Sequence, residues 1–387
     1  MAEVRTYSAG DPAGRFGSML YREDIDTVCG SSSIDWAQLD GATVAVAGAT
    51  GLIGTILTDV LMRKAQDGQY RIAVLALGRN EKKARSRLPY FGRDNFGFEQ
   101  IDINIPSAAP SRAADIIIHC ASTTHPQAYV SEPVETITSN VQGLKNLLDY
   151  ACGGPGEGRH PAASRFSPAR VLFASSVEIY GENRGDTDRF NENYCGIIDS
   201  NTLRAGYPEA KRCCEALCQA YAEQYGVPVY IPRLPRVYGP TMLPSDSKAL
   251  SQFIKNAAAG EDIILKSPGT QQFSYLYGAD AVEGMLHILT RCEPGEAYNL
   301  SDKRSDAVLR DLAGTVARES GTSVVYDIPD PAEAAGYSTA TKALMDSSKL
   351  QSTGWAARYS ISEGIRRTLL ILRAARQTQC LPGTLQI

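Results

Sequence analysis

Residues 43–47 form an unbroken apolar run, Thr-Val-Ala-Val-Ala, followed by a glycine-containing turn and a helical pattern over 55–64. A short run without polar alternation is the mark of a strand buried on both faces. The same pattern recurs: 72–77, 115–120, 170–174 and 227–234 read as strands, with helices over 81–88, 140–151 and 207–225 between them. Alternation of this kind predicts an α/β fold built on a doubly wound parallel sheet. Residues 153–168 hold too much Gly and Pro for regular structure and read as a surface loop. Beyond Gly239-Pro240 the alternation fades, leaving helices near 251–259, 309–320 and 361–373 that suit a smaller C-terminal α/β substrate-binding lobe. The predicted division is an N-terminal extension over 1–40, read as an added arm or short helix; a sheet domain over 41–235 with 272–300; and the lobe over 236–271 with 301–387. No internal repeat or low-complexity tract interrupts it.

Composition narrows the functional classes. A chain of 387 residues, 43% hydrophobic and 21% charged, can bury a large core and is not disordered. Its net charge of −4 gives no overall drive toward nucleic acid or an anionic membrane. The first twenty residues lack an apolar signal core, and no apolar run approaches the roughly 18 residues of a spanning helix, so a cytoplasmic protein without a membrane partner is expected. The nine cysteines form no Cys-x-x-Cys pair and read as reduced, structural thiols. None of the four histidines has the spacing of a zinc motif, so no metal is expected.

The turn after the first strand carries the clearest chemistry. Gly48-Ala-Thr-Gly51-Leu-Ile-Gly54 joins a buried strand to a helix, as in a Rossmann-type dinucleotide fold. There one glycine permits the tight turn, a second lets a pyrophosphate approach the backbone, and a third lets the helix pack on the sheet. Gly48, Thr50, Gly51, Leu52, Ile53 and Gly54 are therefore expected to border NAD or NADP. After the second strand stands Gly78-Arg79-Asn80, not an acidic residue for a ribose diol. Arg79 suits the 2′-phosphate of NADP and leaves NAD open. Tyr207 and Lys211, four apart on one helix, share a face, and Ser176 ends the preceding strand. A tyrosine is a weak base at neutral pH, but a neighbouring ammonium favours its phenolate and allows proton exchange with a substrate alcohol.

With these motifs together, the chain resembles the extended short-chain dehydrogenase/reductase superfamily, specifically the NAD-dependent epimerase/dehydratase family acting on nucleotide sugars. The resemblance runs from about 42 to 370. It includes Ile116-Ile-Ile-His-Cys-Ala-Ser122, Ser131-Glu-Pro with Asn140-Val-Gln-Gly143, Arg233-Leu-Pro-Arg-Val-Tyr-Gly-Pro240, and Thr353-Gly-Trp355 in place of Leu-Gly-Trp. It implies Ser176, Tyr207 and Lys211 as the catalytic group; Cys120, Ala121 and Ser122 along the cofactor, with Tyr207 and Lys211 also touching it; and Asp102 and Ile103 beside the adenine. It further implies a transient 4-keto sugar with the cofactor recycled, and a homodimer through a helix bundle. Glu178, two before Tyr180, is the position where dehydratases and decarboxylases tend to carry a base. Val177 stands where hexose 4,6-dehydratases carry an acid. Arg236 replaces the usual Asn of Arg-x-x-Asn, and Phe273 the usual Arg of a later motif; with Thr124 and Val177 they are the expected substrate contacts. Arg236 is open to a diphosphate contact or an internal salt bridge. The substrate is expected to be a nucleotide-activated sugar or alditol. The alternatives are an epimerase and, from another class, a non-catalytic dinucleotide sensor or RNA-associated scaffold.

Overall fold

In the computed structural model, which describes residues 14–122, 129, 131–153, 168–328 and 341–380, side chains of successive strand residues part to opposite faces of one sheet. Strands β1 (Thr43–Ala47), β2 (Ala73–Gly78), β3 (Phe96–Gln100), β4 (Ile116–His119), β5 (Arg170–Phe173), β6 (Ser175–Ser176), β7 (Val229–Leu234) and β11 (Ala297–Asn299) build it. Their order is β11-β7-β5-β4-β1-β2-β3, with β6 beside β7, and every pairing is parallel. Val44, Val46, Val74 and Ala76 point into one core layer, and Ala45, Ala47, Leu75 and Leu77 into the other. Apolar residues on both faces explain why these strands lack polar alternation.

Helices cover both faces. The first layer holds α1 (Met19–Cys29), α2 (Leu52–Gln66) and, later in the chain, α6 (Gly278–Arg291); the second holds α3 (Pro133–Ala151) and α4 (Gly206–Tyr225), which pack along each other. Two boundaries differ from the sequence reading, each for a local reason. Helix α2 starts at Leu52, not 55, because Gly51 is extended and serves as its N-cap. Helix α3 starts at Pro133, not 140, since proline at the first helical position loses no hydrogen bond. Of the segment read as an added arm or short helix, the described residues from 14 onward hold the helix α1, whose Tyr21, Ile25 and Val28 are buried against the first layer.

Pro235, directly after β7, has no N–H to continue the ladder, and the chain leaves the large sheet there. Strand β8 (Arg236–Tyr238) pairs instead with β10 (Gln272–Tyr277), which is bordered by β12 (Asp306–Val308) and β14 (Lys342–Ala343). From sequence, 272–300 is grouped with the parallel sheet; β11 pairs there, whereas β10 is hydrogen-bonded into this smaller one. Strands β9 (Ile263–Leu265) and β13 (Val324–Tyr326) form a two-stranded pair, with α5 (Ala249–Ala259), α7 (Leu309–Ser320) and α8 (Ile361–Cys380) packed together nearby. Between the carboxyl ends of the large sheet and this second group lies a cleft of 1180 Å³.

Candidate active site

Two of the three turn glycines are closed by backbone and one is open. Gly48 has φ +85°, and a Cβ there would lie 2.7 Å from the Ala121 nitrogen, so only glycine lets the β1 turn meet the end of β4. Gly54 presses on the Gly48 carbonyl, with Ala49 Cα 2.9 Å from where a Cβ would be. Gly51 meets only the Gly48 carbonyl, at 3.2 Å, and lines the cleft with Leu52 and Ile53. The first N–H groups of a 15-residue helix therefore face open space, which fits the pyrophosphate of a dinucleotide. Cys120 and Ser122 line the same cleft. Thr50 and Ala121, half-buried, flank this wall. Arg79, exposed after β2, and Asp102 and Ile103, after β3, stand at the same edge of the sheet but outside the cleft walls. Asn146 Nδ2 fixes that corner by donating to the Ile103 carbonyl at 2.7 Å.

The proposed catalytic side chains meet across this wall. Tyr207 and Lys211 project from the first turns of α4, 5% and 3% exposed, and both line the cleft. Ser176 ends β6, where its Oγ accepts the Glu178 N–H at 3.2 Å and caps a short turn. Ser176 and Ser122, which line the cleft with Tyr207, both act to lower the pKa of its hydroxyl. Burial, the larger influence, pushes that hydroxyl above its ordinary range. The sequence reading expects the Lys211 ammonium to favour the phenolate; burial lowers the pKa of Lys211 itself, with Cys214 and Cys120 opposing. Lys211 Nζ donates to the Ala174 carbonyl at 3.0 Å and lies 4.5 Å from the Phe173 ring centroid.

Several residues here have no mark in the sequence. Tyr129 stacks on Tyr207 with centroids 4.9 Å apart and planes at 16°, and Arg204 sits 5.6 Å from the Tyr129 centroid. No spacing rule finds Tyr129, which a separate segment brings against Arg204 and Tyr207. Glu215 was findable, lying one turn beyond Lys211 on the same helix: it accepts Ser175 Oγ at 2.5 Å and both Arg233 Nε and Nη2, at 3.1 and 2.7 Å. Of the expected substrate contacts, Val177, Arg236 and Phe273 line the cleft. Arg236 lies 3.4 Å from the Phe273 ring centroid, and its Nη2 is 3.7 Å from Glu178 Oε1. Thr124 falls outside the described residues.

A doubly wound parallel sheet with this turn and a Ser–Tyr–Lys group at its strand ends defines a protein of the extended short-chain dehydrogenase/reductase kind. The chain belongs to the NAD dependent epimerase/dehydratase family, whose model matches residues 44–301. It is 27% identical over 349 residues to UDP-glucuronic acid decarboxylase 1 of Xenopus tropicalis, covering 89% of this chain and 75% of that one. It is also 27% identical over 333 residues to a trifunctional UDP-glucose 4,6-dehydratase, epimerase and reductase of Arabidopsis thaliana, covering 84% of this chain but spanning only 46% of that protein. The fold superposes on UDP-glucuronic acid 4-epimerase of Bacillus cereus, solved with UDP-glucuronic acid and NAD, with a TM-score of 0.68, 20% identity, and coverage of 86% and 99%.

Proposed function

We propose that this enzyme modifies a nucleotide-activated sugar through a transient ketone at C4 and recycles its cofactor. The observation that carries this reading is the convergence of Ser176, Tyr207 and Lys211 on the cleft into which the α2 N-terminus opens. When bound, the nicotinamide cofactor supplies a hydride acceptor that later returns the hydride. Tyr207 passes the alcohol proton, held in line by Ser176, and Lys211 places a cation under the same wall. Glu178, on the cleft wall two residues from Ser176, is suited to remove a proton beside the ketone. That supports elimination, chemistry carried by a relative named a dehydratase; decarboxylation, in which carbon dioxide leaves the carbon beside the ketone without that proton transfer, is supported by relatives named decarboxylases. Epimerisation is the second reading, favoured by the apolar Val177 where a leaving hydroxyl would need an acid.

Arg79, exposed at the end of β2, supports NADP over NAD. Exposed Val134 and Ile137 on α3, with Leu203 before α4, support a homodimer through these helices. A cytoplasmic setting accords with the absence, among the described residues, of a helix long and apolar enough to cross a membrane.

The test is an NMR assay of the cofactor-loaded protein on a panel of nucleotide sugars in deuterated water. Loss of water, loss of carbon dioxide or a changed stereocentre names the reaction. Tyr207→Phe is expected to slow it by about 100-fold or more; turnover untouched by that change sinks the mechanism. Glu178→Gln is expected to block the step after ketone formation while hydride exchange persists.

A further inference from the structure

Two guanidinium groups stand at the reacting end of the cleft with donors left unused. Arg236 Nη1 is buried and has no hydrogen-bond partner among the described residues, and the same holds for Arg204 Nη1. The Glu178 carboxylate, 3.7 Å from Arg236 Nη2, is beyond hydrogen-bond reach. Arg233, three residues before Arg236, shows the contrast: it bonds Glu215, the Tyr180 hydroxyl at 2.9 Å and the Glu192 carbonyl at 2.8 Å. Arg236 is also held in place, its guanidinium 3.4 Å from the Phe273 centroid, so its orientation does not depend on Glu178. One carboxylate, Glu178, faces these two cations; Asp246 on the cleft wall is paired with Lys248 at 3.5 Å. The reacting end thus carries excess positive charge and unused fork-shaped donors.

We propose that Arg236, aided by Arg204, receives a carboxylate carried on the sugar ring, so that the substrate class is a nucleotide-activated uronic acid. The inference rests on the nucleotide-sugar reading above and narrows it. Position distinguishes a sugar carboxylate from the diphosphate. Arg236 neighbours Glu178, two residues from Ser176, and Arg204 lies over Tyr129, which stacks on Tyr207. Both cations are therefore close to the hydroxyl that handles the sugar alcohol, while a diphosphate must extend away from that ring. A guanidinium fork matches a carboxylate in size and geometry.

Calorimetric binding to the cofactor-loaded Tyr207→Phe protein tests this without turnover. The probes are UDP-glucuronate, UDP-glucose and UDP, with the thymidine series in parallel, because the glucuronate-to-glucose ratio cancels the nucleotide. The uronate is expected to bind about tenfold tighter than the neutral sugar or better, and added Arg236→Gln to bring the ratio near one while UDP affinity holds. Arg204→Gln, read the same way, gives a second, partial loss. Equal binding of the two sugars overturns the inference alone, as does an Arg236→Gln loss equally large for UDP, which assigns the cation to the diphosphate. Binding of neither series overturns the nucleotide-sugar reading and this inference with it.

Discussion

Both ring nitrogens of His119, at the end of β4, are buried without a partner among the described residues. Desolvation, with Lys211 adding to it, lowers its pKa to about 3. The folded protein keeps this ring neutral where the unfolded chain, with a pKa near 6.5, takes up a proton. Its contribution to stability is therefore whole above pH 6.5 and is lost as pH falls from there toward 3. His119→Phe is expected to flatten that loss, so that urea midpoints at pH 7 and pH 4.5 lie closer together than in the parent; an unchanged gap contradicts it. Nothing in the sequence marks His119 as buried and unpaired, since its surroundings come from β5 and α4. The glycines and the Tyr207–Lys211 pair were legible because their meaning lies in spacing within one turn of chain. Tyr129, Arg204 and the stacking of Arg236 on Phe273 were not, because each depends on which distant segments meet.

Between elements, the contact that sets the catalytic geometry is the clamp from α4 to the strand ends. Glu215 ties the helix bearing Tyr207 and Lys211 to β6 through Ser175 and to β7 through Arg233. It also raises the pKa of Lys211. Glu215→Gln is expected to lower kcat about tenfold or more with little change in KM, since substrate contacts stay while the proton-handling groups shift. The alkaline limb of the pH–rate profile should move to lower pH, as Lys211 loses an anion that favours its charged form; a merely structural defect leaves that limb in place. Helix α6 shows where pattern reading fails for whole elements. It carries Asp280, Glu283 and His287, which look like a solvent face, yet all three are buried: Asp280 accepts the Arg358 and Tyr359 N–H groups, Glu283 bonds Ser31 and Arg358, and His287 meets Thr353. Polarity there signals internal pairing, which a single sequence does not distinguish from exposure.

Across the molecule, the N-terminal segment binds the two halves of the core. Asp59, fully buried in the middle of α2, accepts Arg15 through Nε and Nη2 at 2.9 and 2.8 Å, Tyr21 at 2.5 Å and Tyr90 at 2.7 Å. Asp24 of α1 pairs with Arg367 of α8 at 2.7 Å and accepts the Tyr277 hydroxyl. Asp59→Ala strands a buried guanidinium and is expected to cost about 3–5 kcal/mol in urea unfolding, while a double change that also replaces Arg15 with Met should recover part of that loss. Cofactor affinity should fall alongside stability in the single variant, since Asp59 lies in the helix whose first turn opens on the cleft. The link between Asp24 and Arg367 spans 343 residues, and it sets an order in time. On the ribosome, α1 is made well before α8, so Asp24 has no Arg367 to meet until α8 emerges. A nascent chain halted before α8 thus carries α1 with an uncovered apolar face and an unmatched carboxylate, and α1 settles only once α8 has been made.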